Sequence, residues 1–117
     1  MKEKHKVISS YTSAYPDPLN LKKDDLVTTL HEDSEWPGWI KCICEKTKKQ
    51  GWIPKIYLNR LNHNQAVLNC DYLAKELTVH KDETVTTLLE ESGWIWCKNQ
   101  KGEEGWIPKR NLDKLFN

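Results

Sequence analysis

The pentapeptide GWIPK spans residues 51–55 and returns unchanged at residues 105–109. Five identical residues, one of them tryptophan, do not recur by accident in a chain of 117. The match extends outward on both sides. LNLKKDDLVTTL (19–30) answers LTVHKDETVTTLL (77–89), GWIKC (38–42) answers GWIWC (93–97), and LNRL (58–61) answers LDKL (112–115). The offset falls from 61 between Tyr11 and Tyr72 to 58 between Leu19 and Leu77, then to 55 between Trp39 and Trp94 and 54 between Trp52 and Trp106. Each drop marks residues lost from the second copy, and losses of this kind fall in loops. The chain is therefore one fold written twice. Domains are expected over 1–61 and 65–117, with NHNQ (62–65) as the linker.

Within each copy the pattern has a period of two. DLVTTL and ETVTTLL are dominated by β-branched residues, and WIKCIC alternates apolar with polar until Cys44. In GWIP the Trp and Pro share one face of a strand and the Ile takes the other. No segment carries helical apolar spacing over ten residues. Short strands separated by Gly, Pro, Asn and acidic turns predict an all-β chain of two small five-stranded barrels in tandem. The expected core is Leu19, Leu26, Ile40, Ile53 and Leu58 in the first copy, and Leu77, Val85, Ile95, Ile107 and Leu112 in the second.

Composition narrows the function. The 18 basic and 17 acidic residues leave a net charge of +1, and the basic residues are interspersed with acids. That balance gives no stripe for nucleic acid and no reason to expect an anionic membrane. The first ten residues lack the apolar core of a secretion signal, so a cytoplasmic protein is expected. Cys42, Cys44, Cys70 and Cys97 lack the paired spacing or nearby histidines of a zinc site and read as reduced thiols. No nucleophile, base and orienting group converge, and there is no Gly-rich phosphate loop, so no catalytic residue, cofactor or metal is expected.

Four blocks in the same order, twice over, resemble the Src homology 3 (SH3) domain, with its ALYDY, ELSFKKGD, Trp-Trp and GYIPSNYV signatures. The second copy reads LNCDY (68–72), ELTVHKDE (76–83), GWIWC and GWIPKRNL (105–112); the first reads VISSY (7–11), PLNLKKDD (18–25), GWIKC and GWIPKIYL (51–58). The resemblance implies a groove of aromatic ridges that receives a polyproline II helix, with an acidic loop that pairs a basic ligand residue. Carried over by position, it implies a first groove of Tyr11, Asp17, Trp39, Trp52, Pro54 and Tyr57. The second would comprise Tyr72, Glu76, Trp94, Trp106 and Pro108. The Pro on the same face favours Trp52 and Trp106 as a surface ridge; the alternative is that they are barrel-closing hydrophobes. At least one of Trp36, in an insertion of the first copy, and Trp96, on the outer face of the second, is expected at a contact between the domains.

Both copies depart from the family pattern. The first Tyr of ALYDY is Ser9 or Cys70, the Asn of SNYV is Ile56 or Arg110, and the final Tyr of that block is Asn111 in the second copy. Each change removes a ridge or a donor from a groove. The expected function is a non-catalytic, monomeric interaction module that binds an extended or proline-containing peptide with a basic residue, weakly or with altered specificity. The alternative is a structural tandem that recruits a folded protein through another surface.

Overall fold

The structure, a computed structural model, describes residues 3–14 and 17–113. Lys114 and Leu115 of the LDKL match lie outside the described residues. Strands carry the architecture, and the only helical elements described are two single turns of 3-10 helix, Lys55–Tyr57 and Lys109–Asn111. Side chains alternate as a period of two requires. Trp39–Cys44 turns Ile40, Cys42 and Cys44 inward, and Thr84–Glu91 does the same with Val85 and Thr87.

Two compact units emerge, and their boundaries are not those of the repeats. One is contiguous, Asp17–Ala74; the other is split, Met1–Pro16 with Lys75–Asn117. The contiguous unit contains β2 (Asn20–Leu21), β3 (Leu26–Glu32), β4 (Trp39–Cys44), β5 (Gln50–Pro54), β6 (Leu58–Asn62), β7 (Gln65–Leu68) and β8 (Tyr72–Leu73). Its main sheet is antiparallel in the order β5-β4-β3-β7-β6, and β2 pairs with β8. The split unit contains β1 (Glu3–Lys6), β9 (Thr84–Glu91), β10 (Trp94–Lys98) and β11 (Glu104–Pro108) in the order β1-β9-β10-β11. A single bridge from Val7 to Leu112 adds the equivalent of its fifth strand.

Residues 62–65 are thus not a linker. Asn62 and Gln65 face each other across a two-residue turn that joins β6 to β7, and the Asn62 side chain accepts a hydrogen bond from the Asn64 N–H and donates one to Gln65. The physical reason is reach. A four-residue connection closes an antiparallel hairpin at little entropic cost, whereas separate barrels would need the same residues to leave one sheet and begin another. The turn keeps the first strand of the second repeat in the barrel of the first. The strand and loop of the first repeat then complete the other barrel.

The two exchanged arms dock alike, bond for bond. The Val7 N–H donates to Glu83 O at 2.8 Å and the Leu68 N–H to Asp25 O at 3.0 Å. Asp82 N–H donates back to Val7 O at 2.8 Å, as Asp24 N–H does to Leu68 O at 2.7 Å. Ile8 N–H reaches Asn111 O and Asn69 N–H reaches Tyr57 O, both at 2.8 Å. The Lys81 N–H is capped by Ser10 Oγ and the Lys23 N–H by Asp71 Oδ1.

The cores follow from this exchange. Val7, Leu77, Val79, Val85, Ile95, Cys97, Ile107 and Leu112 pack together in the split unit, with Tyr11 against them. In the contiguous unit the buried apolar residues include Leu19, Leu21, Val27, Ile40, Ile53, Ala66 and Leu68. Leu26 was expected in this core, but Val27, which corresponds to Val85, takes its place; Leu26 and Leu58 are half-buried. Gly38 and Gly93 precede the first Trp of each copy at φ of 98° and 89°, a conformation glycine adopts without a Cβ penalty.

Candidate aromatic ridge and its two versions

In the contiguous unit, the register of β4 and β5 sets Trp39 opposite Pro54, and the 3-10 turn after Pro54 carries Tyr57. Beside Tyr57 stands Tyr72, with ring centroids 5.6 Å apart and planes at 64°. Such edge contacts between rings add roughly 0.5–1.5 kcal/mol beyond area burial. Tyr72 donates its hydroxyl to the Trp52 carbonyl at 2.9 Å. Tyr57 is half-buried, while Trp39 and Tyr72 are each only 5% exposed. The tyrosine that serves this ridge is therefore the one written in the second repeat. Tyr11, assigned by position to the same groove, lies in the other unit.

The Trp52 ring has other company, two residues along the same strand pair. Lys41, directly across from it, holds its Nζ 5.9 Å from the ring centroid, and His31 meets it edge-on at 5.5 Å. Asp17 is ion-paired with Lys49 at 2.7 Å on the surface. Glu32 accepts the Gly38 N–H and pairs with Lys55 at 3.2 Å. The Gly38 N–H and the Lys55 ammonium hold its carboxyl below the ordinary value. Asp33 caps the Glu35 and Trp36 N–H groups. The acids around this ridge are thus committed to their own loops.

In the split unit, Tyr11 meets Trp94 edge-on at 5.7 Å, and Trp94 lies opposite Pro108. Tyr11 donates its hydroxyl to Glu76 Oε1 at 2.8 Å, and the Ala14 N–H donates to the same oxygen at 2.9 Å. Glu76 therefore fastens the incoming arm. Trp106 is 4% exposed: its backbone bonds to Lys75 and Leu77, and its ring meets Trp96 at 5.4 Å. Trp96 is half-buried; within its own unit its ring meets Trp106 and it donates Nε1–H to Glu104 Oε1 at 2.7 Å.

The largest difference between the two ridges is Asn111, which corresponds to Tyr57. It is buried, and its Nδ2 donates to Ser9 O at 3.0 Å, Ser9 Oγ at 3.1 Å and Ser10 O at 3.3 Å. A ring that would line a groove has become an amide that clamps the arm. Sequence reading registered the lost aromatic and missed the clamp. The serine that replaces the first Tyr of the ALYDY-like block, on which Asn111 acts, was its only signal.

The sequence model of the variant SH3 domain family matches residues 4–60 and again residues 66–115. Comparisons with curated proteins and with solved structures returned no match.

Proposed function

Because this chain belongs to the variant SH3 family, whose domains are protein-interaction modules, we propose that it is a non-catalytic tandem module binding an extended, proline-containing peptide through the contiguous unit. The observation that carries the reading is the Tyr57–Tyr72 pair beside the Trp39–Pro54 rung. Tyr57 is the accessible ring of this cluster, half-buried where Trp39 and Tyr72 are 5% exposed and Pro54 is buried, and it offers the edge against which a polyproline II ligand would pack. Such a ligand is already ordered and loses little entropy on binding. The split unit retains Tyr11, Trp94 and Pro108 but has the buried Asn111 in place of a ring.

Committed acids argue for weak affinity and an altered preference. Asp17 is occupied by Lys49, and Glu76 by Tyr11 and the Ala14 N–H. A basic ligand residue would have to displace these partners, and an exposed ion pair contributes only about 0–1 kcal/mol. The ligand is therefore held by rings rather than by charge, and the protein acts as a monomer without cofactor.

The test is an NMR titration of the full chain with an arginine-bearing, proline-rich peptide, following the indole N–H signals. Tyr57→Ala should weaken binding by roughly 30-fold, the ~2 kcal/mol of one aromatic anchor. Trp94→Ala should leave most of it. Equal losses would abolish the ranking of the two units, and loss only with Trp94→Ala would reverse it. Binding that ignores both substitutions favours a second reading, recruitment of a folded protein through another surface. The burial of Trp39 and Tyr72, at 5% exposure each, is what supports that alternative.

A further inference from the structure

We infer that the contiguous unit carries a second site, adjoining the aromatic ridge, for a tetrahedral oxyanion of the phosphate type. The site lies where β3, the end of β6 and the turn at His63 and Asn64 meet. Two irregularities of strand pairing coincide there: one between Thr29 and His31 against β4, the other between Arg60 and Asn62 against β7. Each leaves a residue out of the ladder and bends its strand, a device common beside functional sites. A cavity of about 140 Å³ results, lined by His31, Glu32, Lys55, Arg60 and His63 among others. That is several times the roughly 30 Å³ a water molecule occupies in the liquid.

Its chemistry suits an anion. Arg60 is anchored through Nη1 alone, which donates to Thr29 Oγ1 at 3.2 Å, Asn62 O at 3.3 Å and His63 O at 3.0 Å. Its Nε and Nη2 have no protein partner among the described residues. Those two nitrogens form the planar edge that receives two oxygens of one oxyanion. The anchoring fixes the guanidinium in advance, so little side-chain entropy remains to be lost.

The surrounding charges agree. Glu32 is the one carboxylate lining the cavity, and Lys55 and the Gly38 N–H already occupy it. The Arg60 charge is left uncompensated in the cavity, and Lys41 lies directly across the sheet from His31. His63 contributes a ring without a partner among the described residues. The barrel itself does not demand this arrangement. In the split unit the positions of His31 and Lys41 are occupied by Leu89 and Trp96.

The experiment titrates the full, isotope-labelled chain with inorganic phosphate at ionic strength held constant with sodium chloride. Saturable shifts are expected at the Arg60 side-chain N–H and the His31 and His63 rings, with Trp96 unmoved. Arg60→Gln should weaken binding roughly tenfold, the worth of a charge-assisted contact. Shifts that never saturate, or that saturate equally in Arg60→Gln, overturn the site. Arg60 also holds the turn, so His31→Leu, the split unit's own residue, is the second variant. An intact amide spectrum with undiminished phosphate affinity in that variant counts equally against the inference. Phenyl phosphate run in parallel separates sources: tighter binding than the inorganic ion identifies a phosphate carried on a larger ligand, weaker binding a free ion.

Discussion

The contiguous and split units build the same barrel from different chain paths. In the contiguous unit the strand that should come first comes last, joined to its neighbour by the turn at His63 and Asn64, so that 17–74 is a circular permutant of the repeat. The split unit keeps the family's strand order but is interrupted between its first strand and the rest by that whole permutant. Matching hydrogen bonds in both show that this fold is specified by which strands meet and tolerates a different order of connection. The difference must appear in folding. One unit closes its sheet with contacts made inside 58 contiguous residues, while the other must bring Glu3 to Thr87 and Val7 to Leu112 across the entire insertion.

The largest expected effect comes from cutting the chain. A segment of residues 17–74 should fold cooperatively on its own, as read by urea unfolding and dispersed amide signals. Residues 75–117 should remain unfolded, because the split core lacks Val7 and the Tyr11 ring without its arm. Folding of 75–117 unaided, or failure of 17–74, breaks the comparison.

Next come the paired glycines. A Cβ on Gly105 would lie 2.7 Å from the Leu77 nitrogen and 2.8 Å from the Glu76 carbonyl carbon, both backbone atoms. On Gly51 it would meet the Leu19 side chain, with Cδ1 at 2.7 Å. Side-chain ends yield where backbone does not. Gly105→Ala should therefore cost about 3 kcal/mol or more, and Gly51→Ala nearer 1 kcal/mol, in denaturant melts of the full chain. Equal costs would mean the two close approaches are equally adaptable.

A smaller contrast separates Asn111 from Tyr57. Asn111→Ala removes the clamp on Ser9 and Ser10, exposed residues whose carbonyls then turn to water, a loss of roughly 1 kcal/mol from the split unit. Tyr57→Ala should cost less stability and act mainly on binding. A Tyr57 substitution that proves the more destabilising would recast that ring as structural.

The smallest contrast is predicted to vanish. Cys42 and Cys97 occupy corresponding strands, and burial pushes both thiols up to about 12 from an ordinary 9.0. Folding therefore favours their neutral form. The stability this represents is complete below about pH 9 and is lost as pH rises toward about 12. Urea melts across that range should decline in both units alike, and a unit that holds its stability would separate the two thiols.

Much of this was legible in the residues. Trp, Ile and Pro alternate in GWIP, so the inward Ile53 and Ile107 and the barrel class follow from periodicity alone. The exchange of arms was not. VISSY and LNCDY dock through the same backbone bonds, so a linear reading cannot say which barrel each one enters. The deciding signal was the Asn-x-Asn turn at residues 62–64, which reads as a linker unless its side-chain capping is weighed against reach. For Trp106 the residues left two readings, groove ring or barrel-closing hydrophobe; its backbone pairs with Lys75 and Leu77, its ring meets Trp96, and it is 4% exposed.

The exchange also bears on inheritance. A substitution in Val7–Tyr11 is written in the first repeat but tested against the core of a barrel otherwise encoded by the second. Neither copy can drift freely under cover of its duplicate, the usual licence of a duplicated gene. Loss of one repeat length between corresponding arm positions, such as residues 7–67, would join β1 directly to Leu68 and leave a single barrel of ordinary connectivity. One deletion of that length would thus turn the two-barrel chain into a one-barrel chain.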